Sequence, residues 1–470
     1  MGMRKNRTFV AGVSFMALAM FAVPSVSAMS MKEAVMQALR TNPEINEAIA
    51  NRQSIEFELE QGRGLYRPRV DLEGSIGGEI RNSDTTRANN DEDHLFLRRE
   101  ASIVVRQTLF DGFGIDAEVE RQASRVDGAS LRIRERAEFI ALAVIREYLE
   151  IARLQRVIGI TKQNIAYHNK ILGEISQGAS EGSLSIADRQ QAQERVFAAR
   201  AALVEFEEDL KAAEATFIKL VGKEIGKIGP RIDIKGKGPK SLEAALKAAR
   251  ANHPSVKFAK ADIDAAAALV KAAESKFYPR VSLEGRGSLG EDLGGVRGTD
   301  NDLQGNLVVN WNIYNGGIDA ANKQEQIRHV DEAYHRLHKI TREVEEGVRQ
   351  SWNRRSQQSR RLKELLRQLS ATEQLQTSYT EQFKIGERSL LDLLDNQNTR
   401  FALQVAVATG DSAVKFADYR ILAAQGHLLQ AIGVGAPKDA KPYARKDAKV
   451  PPTPSPGDFQ RVDPPPPKSN

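Results

Sequence analysis

Four stretches that alternate apolar and polar residues, set in two pairs with long helical patterns between them, limit what this chain can become. In the first, Val70, Leu72, Gly74, Ile76, Gly78 and Ile80 alternate with Asp71, Glu73, Ser75 and Gly77, the period of a strand with one apolar face. The second puts Leu95, Leu97, Ala101, Ile103, Val105 and Leu109 on one parity, interrupted by Arg99 and Gln107. The third carries Val281, Leu283, Gly285, Gly287 and Leu289 on one parity. The fourth is read from Leu303 to Tyr314, with Leu307, Val309, Trp311 and Ile313 opposite Asn306, Asn310 and Asn312. Each is about ten residues long, the length of a strand that crosses a bilayer. Four such strands cannot close a barrel, and an open edge in lipid leaves costly unpaired backbone groups. One chain must therefore supply a portion of a barrel and symmetric copies the rest, with eight strands from two copies or twelve from three. Phe96, Phe110, Trp311 and Tyr314 stand near strand ends, where an aromatic girdle belongs.

The chain also repeats itself. Pro254, Pro279, Arg280, Val281, Leu283, Glu284 and Gly285 each fall 211 residues after Pro43, Pro68, Arg69, Val70, Leu72, Glu73 and Gly74. Met31 to about Tyr66 reads as a helical segment with Pro43 near its start. From about Ile115 to Ser176, Ile140, Val144, Tyr148, Ile151 and Ile158 recur at helical steps. At about 1.5 Å per residue such a helix reaches roughly 90 Å. Val196, Ala199, Leu203, Phe206, Leu210, Ala213, Phe217 and Leu220 then alternate steps of three and four, a coiled-coil seam. Leu362, Leu365, Leu369, Thr372, Gln376, Tyr379 and Phe383 do the same in the second half, and a last helix is expected to run to about Gly433. The predicted divisions are 1–28, 29–222, a linker at 223–240, 241–435, and a Pro-rich tail at 436–470. That tail holds too little apolar surface to fold alone and is expected to be disordered.

Between the paired helices of each half lies a short tip. In the second it reads Gly386-Glu-Arg-Ser-Leu-Leu-Asp-Leu-Leu-Asp-Asn-Gln397. Gly386 breaks one helix, and Ser389 with Asp392 resembles a capping box for the next. Asp395, three residues on, projects from nearly the same face. Gly182, Asp188 and Gln193 stand 204 residues before Gly386, Asp392 and Gln397, so both halves carry an acidic helix-hairpin tip. Helix caps by themselves favour such carboxylates.

Residues 1–28 read as a secretory leader, with Arg4, Lys5 and Arg7, an apolar run from Val10 to Val23, and a small-residue site at Val26-Ser27-Ala28. Without it the formal charge falls from +6 to +3, so the charge gives no argument for a nucleic-acid partner, and none is expected. The absence of cysteine excludes a thiolate metal site, a catalytic thiol and a disulfide framework. The seven histidines are scattered or lie on helix faces, so neither an enzyme nor a metal site nor a cofactor is expected. A periplasmic coiled-coil adaptor or scaffold shares the helices and the leader, but has no use for four strands of lipid-crossing length.

These features together resemble the TolC family of outer-membrane channel proteins over about residues 30–433. The resemblance is carried by the tandem repeat, the turns Tyr66-Arg-Pro68 and Tyr278-Pro279, the Phe110-Asp-Gly112 and Tyr314-Asn-Gly316 closures, and the tip motif. It implies a homotrimer: a twelve-stranded transmembrane β-barrel, four strands per chain, in outer-membrane lipid, continued by an α-helical coiled-coil tunnel through the periplasm. It further implies an exit duct of efflux or type I secretion, passing drugs or unfolded polypeptides, with a periplasmic adaptor and an inner-membrane transporter as partners. Residue by residue, Asp392 and Asp395 match the family's acidic constriction, and Arg388 and Asp188 its gate-linking pair. Phe383 takes the third linking position, where the family's familiar pattern has a tyrosine, so that hydroxyl is missing here.

Overall fold

The computed structural model describes residues 28–234 and 236–464. The expected leader, except Ala28, lies outside the described residues. In chain order the elements are α1 (Met31–Thr41), α2 (Pro43–Gly64), β1 (Arg69–Glu79), α3 (Asp84–Ala88), β2 (Phe96–Phe110), α4 (Gly114–Ser180), α5 (Ile186–Val221), α6 (Leu242–Asn252) and α7 (Pro254–Glu274). They continue with β3 (Arg280–Glu291), β4 (Thr299–Asn310), α8 (Ile318–Lys384), α9 (Leu390–Ala424), α10 (Leu428–Ala431) and α11 (Ala444–Asp447).

The first helical segment is two helices rather than one. Asn42 adopts an extended conformation between them, because a residue before proline is pushed out of the helical region. Its side chain accepts from the Glu44 N–H and donates to the Leu220 carbonyl. The break recurs at His253, ahead of Pro254. The last long helix ends at Ala424, short of Gly433, because Gly426 turns left-handed (φ +69°) in close contact with Pro254.

The four strands form one antiparallel sheet in chain order, so β1 and β4 are its edges. Register aligns the apolar parity across it: Leu72 opposes Ile103, Ile103 opposes Gly287, and Gly287 opposes Leu303. That row is bare, with Leu72 77% and Leu303 88% exposed. The other face carries an ionic ladder, Arg106–Glu284 at 2.7 Å, Arg286–Glu100 at 2.9 Å and Arg98–Glu100 at 2.5 Å. Arg99, the intruder on the apolar parity, is met by Glu291 at 2.9 Å. The fourth strand lies earlier than its apolar residues suggested. Asp300 and Thr299 pair with Gly290 and Glu291, since backbone pairing can continue with polar side chains. At the other end Trp311 leaves the sheet and its indole donates to the Phe277 carbonyl.

The helical half centres on α4. Ile140, Val144, Tyr148 and Ile151 are buried with Met31 and Val35 of α1, Phe217 and Val221 of α5, and Tyr419 and Leu422 of α9. Each such large apolar side chain stabilises the fold by about 1.5–3 kcal/mol on full burial. The buried Tyr148 hydroxyl reaches the Met29 and Gly229 carbonyls. In the expected α5 seam Val196, Ala199, Ala213 and Phe217 are buried, and Leu203, Phe206, Leu210 and Leu220 are half-buried. The long helices lie side by side in the order α5, α4, α9, α8. Among the described residues no helix is long and apolar enough to cross a membrane.

The structure departs from the expected disordered tail over 436–464. Asp127 on α4, buried, accepts from the Tyr443 and Ala444 N–H groups at 2.7 and 2.8 Å and from the Arg445 guanidinium at 3.0 Å. Arg445 also pairs with buried Asp264 on α7. Arg52 meets Asp439 at 3.1 Å, and Arg461 meets Asp331 on α8 at 2.5 Å. The segment builds no core of its own, which is why its composition reads as disordered; the buried carboxylates of Asp127 and Asp264 supply its anchors.

Candidate functional site

Both hairpin tips turn at a glycine in the left-handed region, Gly182 (φ +76°) and Gly386 (φ +81°), where a side chain would be strained. Ser185 then caps α5. Its hydroxyl accepts from the Asp188 N–H at 3.1 Å, and the Asp188 carboxylate accepts from the Ser185 N–H and hydroxyl at 3.1 and 2.7 Å. Ser389 caps α9 in the same way, accepting from the Asp392 N–H at 3.2 Å and donating to its carboxylate at 2.8 Å.

On α9 Asp395 is exposed and Asp392 half-buried. Asp392 lies 3.8 Å from the Arg388 guanidinium. Arg388 also donates to Gln382 at 3.0 Å and stacks over the Tyr379 ring at 4.5 Å. Within one chain, Arg388 and Asp188 are thus each engaged locally and are not brought together. Phe383 is half-buried among Ile171, Ile175, Leu390, Leu393 and Leu394, so its ring holds the tips of α4, α8 and α9 together through apolar contact.

The links that do cross from one hairpin to the other sit just behind the tip. Arg195 on α5 meets Asp395 at 3.1 Å. Gln397 donates to Asn164 on α4 at 2.7 Å, with both side chains buried. Asn396 donates to Gln376 at 2.7 Å, and Gln376 donates to the Tyr167 hydroxyl at 2.7 Å. Buried polar groups of this kind are costly unless paired. His168, one turn beyond Asn164, is buried with them. Burial and then the nearby Arg195 charge hold its pKa below the usual histidine value. The available signal was Asn164, Thr161 and His168 at helical spacing on the buried stripe of α4, and Gln376 inside the heptad of α8. The arrangement is a jointed tip, with an acidic outer surface, an apolar clasp at Phe383 and a polar layer behind it. It contains no grouping of nucleophile and base. What it can do is hold the two hairpins together or let them separate.

The family model described as "Outer membrane efflux protein" matches residues 34–223 and again 245–427. The outer membrane efflux protein BepC of Brucella suis biovar 1 (strain 1330) is 23% identical over 396 residues, covering 84% of this chain and 85% of that protein. The alkaline protease secretion protein AprF of Pseudomonas aeruginosa is 21% identical over 379 residues, 78% of each chain. Among solved structures, the CmeC outer membrane channel of Campylobacter jejuni superimposes with a TM-score of 0.72 at 14% identity, covering 89% of either chain.

Proposed function

The chain belongs to the outer membrane efflux protein family, and from that premise we propose how it forms its duct. It works in the outer membrane as the exit duct of efflux or type I secretion, and the family is one of channel proteins, not enzymes. The observation that carries the proposal is the sheet: one bare apolar face, one ionic face, and two unpaired edges at β1 and β4. In lipid those edges must pair. β4 of one copy therefore joins β1 of the next, a head-to-tail contact that closes into a ring. Three copies give twelve strands, in line with the family resemblance. The apolar row faces lipid, and the Arg106–Glu284 and Arg286–Glu100 ladder faces water inside. The two matches of the family model support a tandem repeat over 29–222 and 241–435, joined by 223–240.

The same ring brings three tips together around one axis. Asp392 and Asp395 then form the acidic constriction, which favours cations. Arg388, Asp188 and Phe383 act in the gate, with Arg388 reaching Asp188 of a neighbouring copy. Residues 1–28 are the export leader. A periplasmic adaptor and an inner-membrane transporter dock at the tip end and hand over drugs or unfolded polypeptide. The test is fractionation with electrophoresis. The protein is expected in the outer-membrane fraction as a detergent-extracted, heat-modifiable oligomer that conducts ions in planar bilayers. Recovery as a water-soluble, non-conducting species would refute the reading.

A further inference from the structure

A buried carboxyl and a half-buried guanidinium line one cavity of this chain without pairing. The cavity, about 290 Å³, lies between α4, α8, α9 and the break ahead of α7. Glu138 of α4 is 5% exposed. Its Oε2 accepts from the Leu429 N–H at 3.3 Å, and its Oε1 has no partner among the described residues. A buried oxygen of that kind is costly unless it is bonded. Arg134 acts on the carboxyl through its charge, and among the described residues the two form no ion pair. Glu135, on the preceding turn of α4, also lines the cavity; it is exposed and accepts from the Ser255 hydroxyl. His253 on the same wall accepts from the Ser255 N–H at 3.3 Å. Burial holds its pKa below the usual histidine value, so it brings no positive charge at neutral pH.

Arg420 of α9 lines the other end. It is half-buried, and among the described residues it makes no hydrogen bond or ion pair. Burial, and then the charge of Arg354 on α8, push its pKa down. Arg354 is exposed and likewise unpaired among the described residues. Arg420 and Glu138 leave each other unpaired because the end of α9 separates them. From Arg420 to Ala424 the helix advances about 6 Å, and Glu138 bonds beyond that end, at Leu429. The wall is otherwise mostly apolar, with Leu142, Pro254, Ala423 and Phe139, which is 60% exposed.

We propose that this cavity binds a small elongated zwitterion, with its amine end at Glu138 and Glu135 and its carboxylate end at Arg420 and Arg354. An ammonium gives the Glu138 Oε1 a donor, and a carboxylate gives Arg420 an acceptor. Each is a charge-assisted hydrogen bond, the stronger kind. The apolar wall takes the body of the molecule, and the few polar groups fix its direction. Every wall belongs to one chain, so the site stands apart from ring closure. It lies where α9 ends against Pro254 at Gly426, and a molecule bound there braces that joint.

Calorimetric titration of the detergent-extracted, full-length protein with 4-(aminomethyl)benzoate at pH 8 tests the proposal. The zwitterion should bind. Benzylamine and 4-methylbenzoate should each bind at least about tenfold more weakly, since each leaves one charged end unread. Glu138→Gln should weaken the zwitterion about tenfold and leave 4-methylbenzoate unaffected. Arg420→Gln should weaken the zwitterion to the same degree and leave benzylamine unaffected. No binding by the parent, equal binding of the three compounds, or variants that bind as the parent does would each overturn it. Failure of the duct reading shows separately, as a water-soluble and non-conducting protein.

Discussion

Arg195 on α5 and Asp395 on α9 meet at 3.1 Å behind the tip, so a carboxylate assigned to the constriction also joins the two hairpins of one chain. The arginine side chain is 26% exposed and the aspartate 58%, which limits the pair to about 0.2–1 kcal/mol. Arg195→Ser should therefore raise resting conductance in planar bilayers by no more than about fivefold. Arg388→Ser, if Arg388 links copies, should leak independently of it. A closed state untouched by Arg195→Ser would make this pair ornamental.

Removing the acidic side chains should change selectivity rather than assembly. Asp392→Ala with Asp395→Ala leaves the Phe383 clasp and the polar layer in place. Reversal potentials under a salt gradient should move toward the unselective value, and block by multivalent cations should weaken. Unchanged reversal potentials would mean that the ring lies elsewhere.

The tail can be released with one residue. Arg445→Ala strips a shared cation from Asp127 and Asp264, both nearly fully buried. Breaking a buried pair from one side costs about 3–5 kcal/mol. The melting temperature should drop, and limited proteolysis should cut residues 436–464 faster than in the parent. Equal proteolysis rates would show that the Asp127 contacts to the Tyr443 and Ala444 backbone suffice.

Glu138 on α4 gives a pH signature. Burial pushes its carboxyl up to about 7, against the opposing pull of the Leu429 N–H and Arg134. A folded value raised above the unfolded one binds the proton more tightly in the native state. Its contribution is thus full below pH 4.5 and lost as pH rises through about 7. Glu138→Gln keeps an acceptor for Leu429 and removes the titration. The variant should gain on the parent between pH 5 and pH 8, by at most about 3 kcal/mol. Parallel stability curves across that range would contradict the assignment.

Much of this fold is legible in the chain because period two and heptad spacing are local. The apolar parity of Leu72, Ile103 and Leu303 became a single row across three strand pairings. The fourth strand was misplaced because its outer end, Thr299 to Asp302, is polar and pairs through backbone alone. The order of the tail is not legible in composition, because Arg445 and Arg461 find partners more than a hundred residues away. The same limit applies at the tip. The capping motifs of Asp188 and Asp392 are local and stood out, whereas Arg195–Asp395 and Gln397–Asn164 arise only when α5, α4 and α9 lie side by side.

In the proposed ring one chain owns a third of a barrel. Native mass measurement of the detergent-extracted protein tests that claim directly. Three protomers in one particle is the predicted result. A single protomer, stable in water without detergent, contradicts it.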